Sequence, residues 1–211
     1  MMRRHHSVAP LMASLLIASC AATTTRDSTG ESASAPAGSS AQPPVAIVLR
    51  NPGFEDEPNP GRACPIGWDC TMHADPGSFR FFQDEASPFR GKRSLCVEPV
   101  KKEPWAVASQ GVFDLAKIRG GRVRFSIAVR LEAVAGDGAG PYAAAQGGNG
   151  AVIAHAKRLL QGTQQWQRVE VELAVPENAS LIEVGVTLEG RGMVCLDDAR
   201  LEILRTSKSP V

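Results

Sequence analysis

Residues 122–131 read Arg-Val-Arg-Phe-Ser-Ile-Ala-Val-Arg-Leu. Val123, Phe125, Ile127, Val129 and Leu131 alternate with Arg124, Ser126, Ala128 and Arg130. A period of two places the first set on one face of a β-strand and the second on the other. The pattern returns in 168–175, where Val169, Val171, Leu173 and Val175 are separated by Glu170, Glu172 and Ala174. It returns again in 182–189, with Ile182, Val184, Val186 and Leu188 between Glu183, Gly185, Thr187 and Glu189. One buried and one wet face is the habit of antiparallel sheets. Shorter candidate strands occupy 45–49, 79–83, 94–98, 107–113, 151–156 and 193–203. Turn residues separate them, among them Gly91, Pro176 and the Gly190/Gly192 pair. No helical period persists; 114–119 or 156–161 hold one helical turn at most. The expected fold is all-β, a two-sheet antiparallel sandwich spanning 45–204. A domain of that length buries roughly 70% of its unfolded surface and can fold alone.

The segments outside that domain have a different character. Residues 1–19 begin Met-Met-Arg-Arg-His-His and continue into the short apolar run Val8–Ala18, which reads as a secretory signal peptide. The run is too short to span a bilayer, which takes ~20 apolar residues. Leu16-Ile17-Ala18-Ser19-Cys20 resembles a bacterial lipobox, which implies acylation of Cys20 and a membrane anchor. Ala21 and Ala22 follow, without the aspartate that resembles an inner-membrane retention signal. The expected location is the cell envelope, on the outer membrane in a cell with two. Residues 20–44 lack large apolar side chains and read as a disordered tether with a root-mean-square span of ~25–30 Å. Residues 205–211 read as a flexible polar tail.

Composition narrows the function. The 211 residues carry a formal net charge of +1. Losing Arg3 and Arg4 with the signal peptide leaves 21 basic against 22 acidic side chains, so a nucleic-acid partner is not expected. The five cysteines are odd in number; assigning Cys20 to lipid leaves Cys64, Cys70, Cys96 and Cys195, which allow three pairings. No nucleophile elbow, zinc-protease helix or phosphate-binding loop occurs, and His73 and His155 stand outside any such motif. Asp197 and Asp198 are adjacent, so a regular strand points them to opposite faces, and they make a poor acid/base pair. A non-enzyme is expected.

Several landmarks fall in a familiar order. Asn51-Pro52-Gly53-Phe54-Glu55 is followed by Pro65-Ile66-Gly67-Trp68 and Gly91-Lys92-Arg93-Ser94-Leu95-Cys96-Val97. Then come Ser109-Gln110, Val123-Arg124-Phe125-Ser126, Trp166-Gln167-Arg168-Val169 and Gly192-Met193-Val194-Cys195-Leu196-Asp197-Asp198-Ala199. Over 51–203 this resembles the galactose-binding-like jelly roll of the family 4/9/22 carbohydrate-binding modules.

The resemblance implies several things. It sets the Cys96 and Cys195 strands side by side, which favours a 96–195 disulfide together with 64–70. It implies a structural calcium, with Glu55 and Asp198 as side-chain ligands; an acidic pair capped by backbone amides is the alternative. It also implies a glycan or envelope polysaccharide as ligand, bound without catalysis. A sugar site pairs an aromatic platform with polar groups. Trp105, in Lys-Lys-Glu-Pro-Trp, is the platform candidate. Tyr142 sits in a Gly/Ala-rich insert, 135–150, expected as a mobile lip. The outward set Gln110, Arg124, Arg130, Glu170, Glu172 and Glu183 supplies polar candidates, or else a solvated face of cross-strand charge pairs. Trp68 and Trp166 are expected in the core. The aromatic content of 5% weighs against a strong platform, so the alternative function is a structural or protein-interaction envelope lipoprotein that binds no sugar.

Overall fold

The computed structural model describes residues 43–57 and 64–204. The signal segment, Cys20, the tether to residue 42 and the tail 205–211 lie outside the described residues. Nine strands follow one another: β1 (Val45–Ile47), β2 (Asp69–Met72), β3 (Phe79–Asp84), β4 (Ser94–Pro99), β5 (Trp105–Val112), β6 (Arg122–Gln146), β7 (Val152–Lys157), β8 (Leu160–Ala174) and β9 (Leu181–Leu204). Every pairing is antiparallel. No helix occurs among the described residues. Leu115 accepts from the amides of Ile118 and Arg119, which gives a single turn; 156–161 belongs to β7 and β8 instead.

Two long strands organise the domain. β6 and β9 pair along nearly their whole length. The free side of β9 carries β5, β4 and β1 in turn, and the free side of β6 carries β8 and β7. β2 extends the sheet beyond β5, and β3 beyond β4. Midway, the β6–β9 register shifts at Glu132/Ala135 and Gly136/Gly138. Gly136, Gly138, Gly190 and Gly192 there take positive φ. A Cβ on Gly190 would stand 2.2 Å from the Ala135 carbonyl oxygen, so the two backbones meet only because no side chain intervenes. At this bend the sheet curls over. Phe125, Ile127 and Leu131 from one half then share a core with Ala143, Val184 and Val186 from the other.

The curl is where the strand expectations shift. The candidates 182–189 and 193–203 are one bent strand, because pairing continues through Gly190 and Gly192 rather than turning there. The insert 135–150 is not a lip. Its greater part is the second half of β6, paired to β9 on one side and β7 on the other. β2 escapes the alternation reading because its inward residues are Cys70 and Met72, neither strongly apolar in pattern.

Both disulfides join the expected partners, Cys64 to Cys70 and Cys96 to Cys195. Cys96 and Cys195 face each other directly across the β4–β9 ladder, with Cα atoms 4.0 Å apart. Trp68 is 3% exposed, packs against Phe54 at 4.8 Å and donates its indole N–H to Asn51 O. Trp166 is not in the core. On β8 it shares parity with Arg168, Glu170 and Glu172, away from the inward Val169 and Val171. It lies half-buried beside Phe89 and Arg130, with its indole N–H on Ser87 O.

Candidate functional site

The outward face of the curled half holds the candidate site. β5 turns Ala106 and Ala108 into the core and Trp105, Val107, Ser109 and Gly111 outward. Opposite them on β9 stand Glu189, Thr187, Gly185 and Glu183. The next strand, β6, sets Gly140, Tyr142 and Ala144 beside Thr187, Gly185 and Glu183. β7 adds Lys157 and His155, and β2 adds Asp69 and Thr71. Small residues (Gly111, Gly185, Gly140, Ala144) run through the middle of this face, so its floor sinks between larger neighbours. Two hollows open there. One, of about 300 Å³, lies among Trp105, Tyr142, His155, Lys157 and Glu189. The other, of about 420 Å³, lies among Asp69, Ser109, Gln146, Glu183 and Phe113. Successive outward residues of β5 and β9 pass from one hollow to the other, so they form one groove.

Glu183 is the hub of the groove. Its Oε1 accepts from the Tyr142 hydroxyl and from Ser109 Oγ, each at 2.7 Å, and its Oε2 accepts from Gln146 Nε2 at 3.2 Å. Burial, and then the Glu183 carboxylate, raise the Tyr142 pKa well above the ordinary phenol value. The hydroxyl therefore stays protonated and donates. Three donors converging on one carboxylate fix the groups that line the groove.

Aromatic rings stand at both ends. Trp105 is half-buried, with the His73 ring edge-on at 5.8 Å and His73 Nδ1 2.9 Å from Glu103. Beside it Lys157 Nζ meets Glu189 at 2.7 Å. At the far end Phe113 is 74% exposed. Its ring lies against Gly111, where an added Cβ would stand 3.2 Å from a ring carbon. Eight residues at ~3.3 Å each separate Trp105 from Phe113, roughly 26 Å. That length exceeds the span of a single small ligand.

The sequence-named residues divide. Trp105, Tyr142 and Glu183 come together in the groove. Gln110 points to the other face of β5, where its amide exchanges two hydrogen bonds with the Arg50 backbone, at 2.7 and 2.9 Å. Arg124, Glu170 and Glu172 form a cross-strand charge ladder between β6 and β8, extended by Arg122. The Arg124 hydrogen bond lowers the Glu172 pKa. Arg130 bonds Asp84 at 3.3 Å and lies 3.3 Å from Cys195 Sγ, beside Trp166. None of these five lines the groove. Ser109, Gln146, Lys157 and Phe113 were not singled out for ligand contact. For Ser109 and Phe113 the signal is parity, since 105, 107, 109, 111 and 113 share one side of a strand whose other side begins with Ala106 and Ala108; Gln146 and Lys157 reach the groove from β6 and β7 and carry no such signal.

The corner named for calcium is built differently. Both Glu55 oxygens accept backbone N–H groups, from Lys92 at 2.9 and 3.1 Å and from Arg93 at 3.2 Å. A Cβ on Gly91 would collide with that carboxylate. Asp198 is ringed by Arg168, by Arg200 at 2.7 Å and by Arg90 at 3.8 Å. Calcium takes six to eight oxygens, whereas these lone pairs face N–H donors and three guanidinium groups. As arranged, the two side chains do not fit a calcium ion. A chelator is expected to leave the melting temperature unchanged; a drop of several degrees would contradict this.

Between them lies Asp197, fully buried, accepting from the amides of Phe89, Arg90 and Asp198. Burial pushes its pKa up to about 6 from the ordinary 3.8, against the pull of those amides. From pH 4 to 6 the native state keeps a proton that the unfolded chain has released. Stability from this group is therefore full below pH 4 and is lost as pH rises through 6, by roughly 2–3 kcal/mol. Asp197→Asn is expected to flatten that part of the urea-unfolding profile, and an unaltered slope would rule the assignment out.

No family model and no curated protein matches the chain. Solved structures do. The chain is similar to the CBM22-1 xylan-binding domain of Paenibacillus barcinonensis Xyn10C, with TM-score 0.56 and 18% identity over 79% of this chain and 100% of that one. It is similar to the CBM22-1–CBM22-2 tandem of the same protein, with TM-score 0.54 and 18% identity over 82% of this chain and 49% of that one. It is also similar to part of the arabinose-bound α-L-arabinofuranosidase MgGH51, with TM-score 0.57 and 17% identity over 76% of this chain and 27% of that one. At these identities the likeness establishes the fold: a jelly-roll β-sandwich of the kind found in carbohydrate-binding modules.

Proposed function

We propose that the domain binds a glycan chain along the β2–β5–β9–β6–β7 face and does not cleave it. The observation that carries this reading is the groove itself, with aromatic rings at both ends and polar groups held by Glu183 between them. Flat rings suit the apolar faces of sugars, and the fixed hydroxyl and amide groups suit their hydroxyls. Binding of xylan by a module of the same fold supports the class of ligand.

Cleavage does not fit the pair Glu183 and Glu189. Glu183 is committed to three donors and Glu189 to Lys157. They lie six residues apart on one strand, ~20 Å by strand rise, whereas glycoside hydrolysis uses a pair ~5–9.5 Å apart. Affinity electrophoresis of the full chain through gels cast with a panel of soluble polysaccharides tests the reading. Retardation by at least one, with no reducing ends released, is expected. Folded protein that migrates freely through every gel would overturn it.

We propose as well that lipid on Cys20 holds the module in the cell envelope through residues 20–44, which the Leu16-Ile17-Ala18-Ser19-Cys20 pattern supports. Cells fed an alkyne fatty acid are expected to label the wild-type protein and not Cys20→Ala. Equal labelling of the variant would remove Cys20 as the anchor.

A further inference from the structure

Beyond the Trp105 end of the groove lies a cleft of about 900 Å³. One wall is the connection from β4 to β5, Val100 to Pro104, and the other is the glycine bend, Ala135, Gly136, Gly190 and Arg191. Both walls lead straight into the groove. Lys102-Glu103-Pro104 runs into Trp105 on one side, and Arg191-Gly190 runs back into Glu189 on the other. The cleft and the groove are therefore consecutive parts of one surface.

The charge of the cleft differs from that of the groove. Three cations line it, Lys101, Lys102 and Arg191, against the single acid Glu103. Lys101 is satisfied by Asp75 at 2.9 Å, and Glu103 faces His73. Lys102 and Arg191 are exposed and form no ion pair among the described residues. The floor between them is bare backbone. A Cβ on Gly136 would stand 2.9 Å from Glu189 O and from Gly190 Cα, so no side chain can fill that space. The groove, by contrast, is acidic at its other end, with Asp69 and Glu183.

We infer that the cleft is an acidic-sugar subsite: the glycan read by the groove carries a carboxylate, as on a uronic acid, which Arg191 and Lys102 receive beyond Trp105. A guanidinium fork matches a carboxylate with two parallel hydrogen bonds, and the lysine adds a point charge. The aromatic ring would hold the neighbouring sugar, while the acidic far end of the groove rejects a second carboxylate there. The inference rests on glycan binding by the groove and assigns the chemical class that the groove alone leaves open.

The test uses matched pairs of probes that differ only in charge. These are oligogalacturonides with their methyl esters, and a glucuronic-acid-bearing xylan with its carboxyl-reduced form. Titration of the full chain in low salt is expected to show the acidic member of a pair binding about tenfold tighter. Raising the salt to 1 M should shrink the gap, because exposed charges are screened. Arg191→Ala with Lys102→Ala should erase the preference while leaving affinity for the neutral member intact. Equal binding of acidic and neutral members by the wild type overturns the subsite and leaves glycan binding standing. Binding of neither member in any pair, with no polysaccharide retarding the protein either, brings down both.

Discussion

Trp105→Ala is expected to weaken glycan binding about 30-fold or more and to move the melting temperature by no more than a few degrees. The asymmetry follows from where the ring sits. Its backbone is held in the β5–β9 ladder opposite Glu189, and its side chain is half-buried at the mouth of the groove, outside the core cluster. Truncation removes little core area. It does remove a platform of the kind whose loss costs ~2 kcal/mol or more at binding hot spots, and each 1.4 kcal/mol is about a factor of ten. Phe113→Ala should act in the same direction, more weakly, because Phe113 lies just past the end of β5. Unchanged affinity in both variants would remove the aromatic ends from the site.

The largest expected effect on stability comes from Cys96→Ala with Cys195→Ala. The Cys96–Cys195 bond closes a separation of 99 residues, and Cys64–Cys70 closes only 6. Constraint of the unfolded chain grows with loop length, giving ~4–5 kcal/mol for the first and ~2 kcal/mol for the second. For a domain of this size that predicts a fall of ~10–15 °C for the long bridge and roughly half as much for the short one. Both cysteines of the long bridge are also fully buried, so their loss opens space under Arg130 and Trp166. Thermal melts of the two double variants test the order. Equal losses, or a larger loss for Cys64/Cys70, would contradict it.

Much of this fold is legible in the chain. The alternation in 122–131, 168–175 and 182–189 assigns the inward faces correctly, because period two leaves little choice of side. The bend is not legible. Four glycines interrupt the pattern, and local rules read glycine as a turn, whereas here the β6–β9 ladder carries on through it. The Gly/Ala-rich sequence around Tyr142 thus reads as a loop, although it lies in a central strand. The groove was legible only in part. Trp105 stands out by its polar surroundings, and parity alone sets Gln110 on the opposite side from it, but Arg130 cannot be placed from parity alone. Gln110 follows Ser109 by one residue and so faces the opposite side. Arg130 does face outward, but on the far half of a sheet whose curl no local pattern reveals. Trp166 was expected inside from its size, and parity with Arg168 places it outside.

Glycan binding on the outward face of β5, β9, β6 and β7 fixes which amides a bound oligosaccharide perturbs. Amide chemical-shift mapping of the isotope-labelled protein, titrated with an oligosaccharide of whichever polysaccharide retards it most, tests that binding directly. The largest shifts are expected on Trp105 (indole N–H included), Ser109, Tyr142, Glu183 and Phe113. Arg124, Glu170 and Glu172 should stay where they are. Shifts centred on the β6–β8 charge ladder, or spread without focus over the domain, would contradict binding on that face.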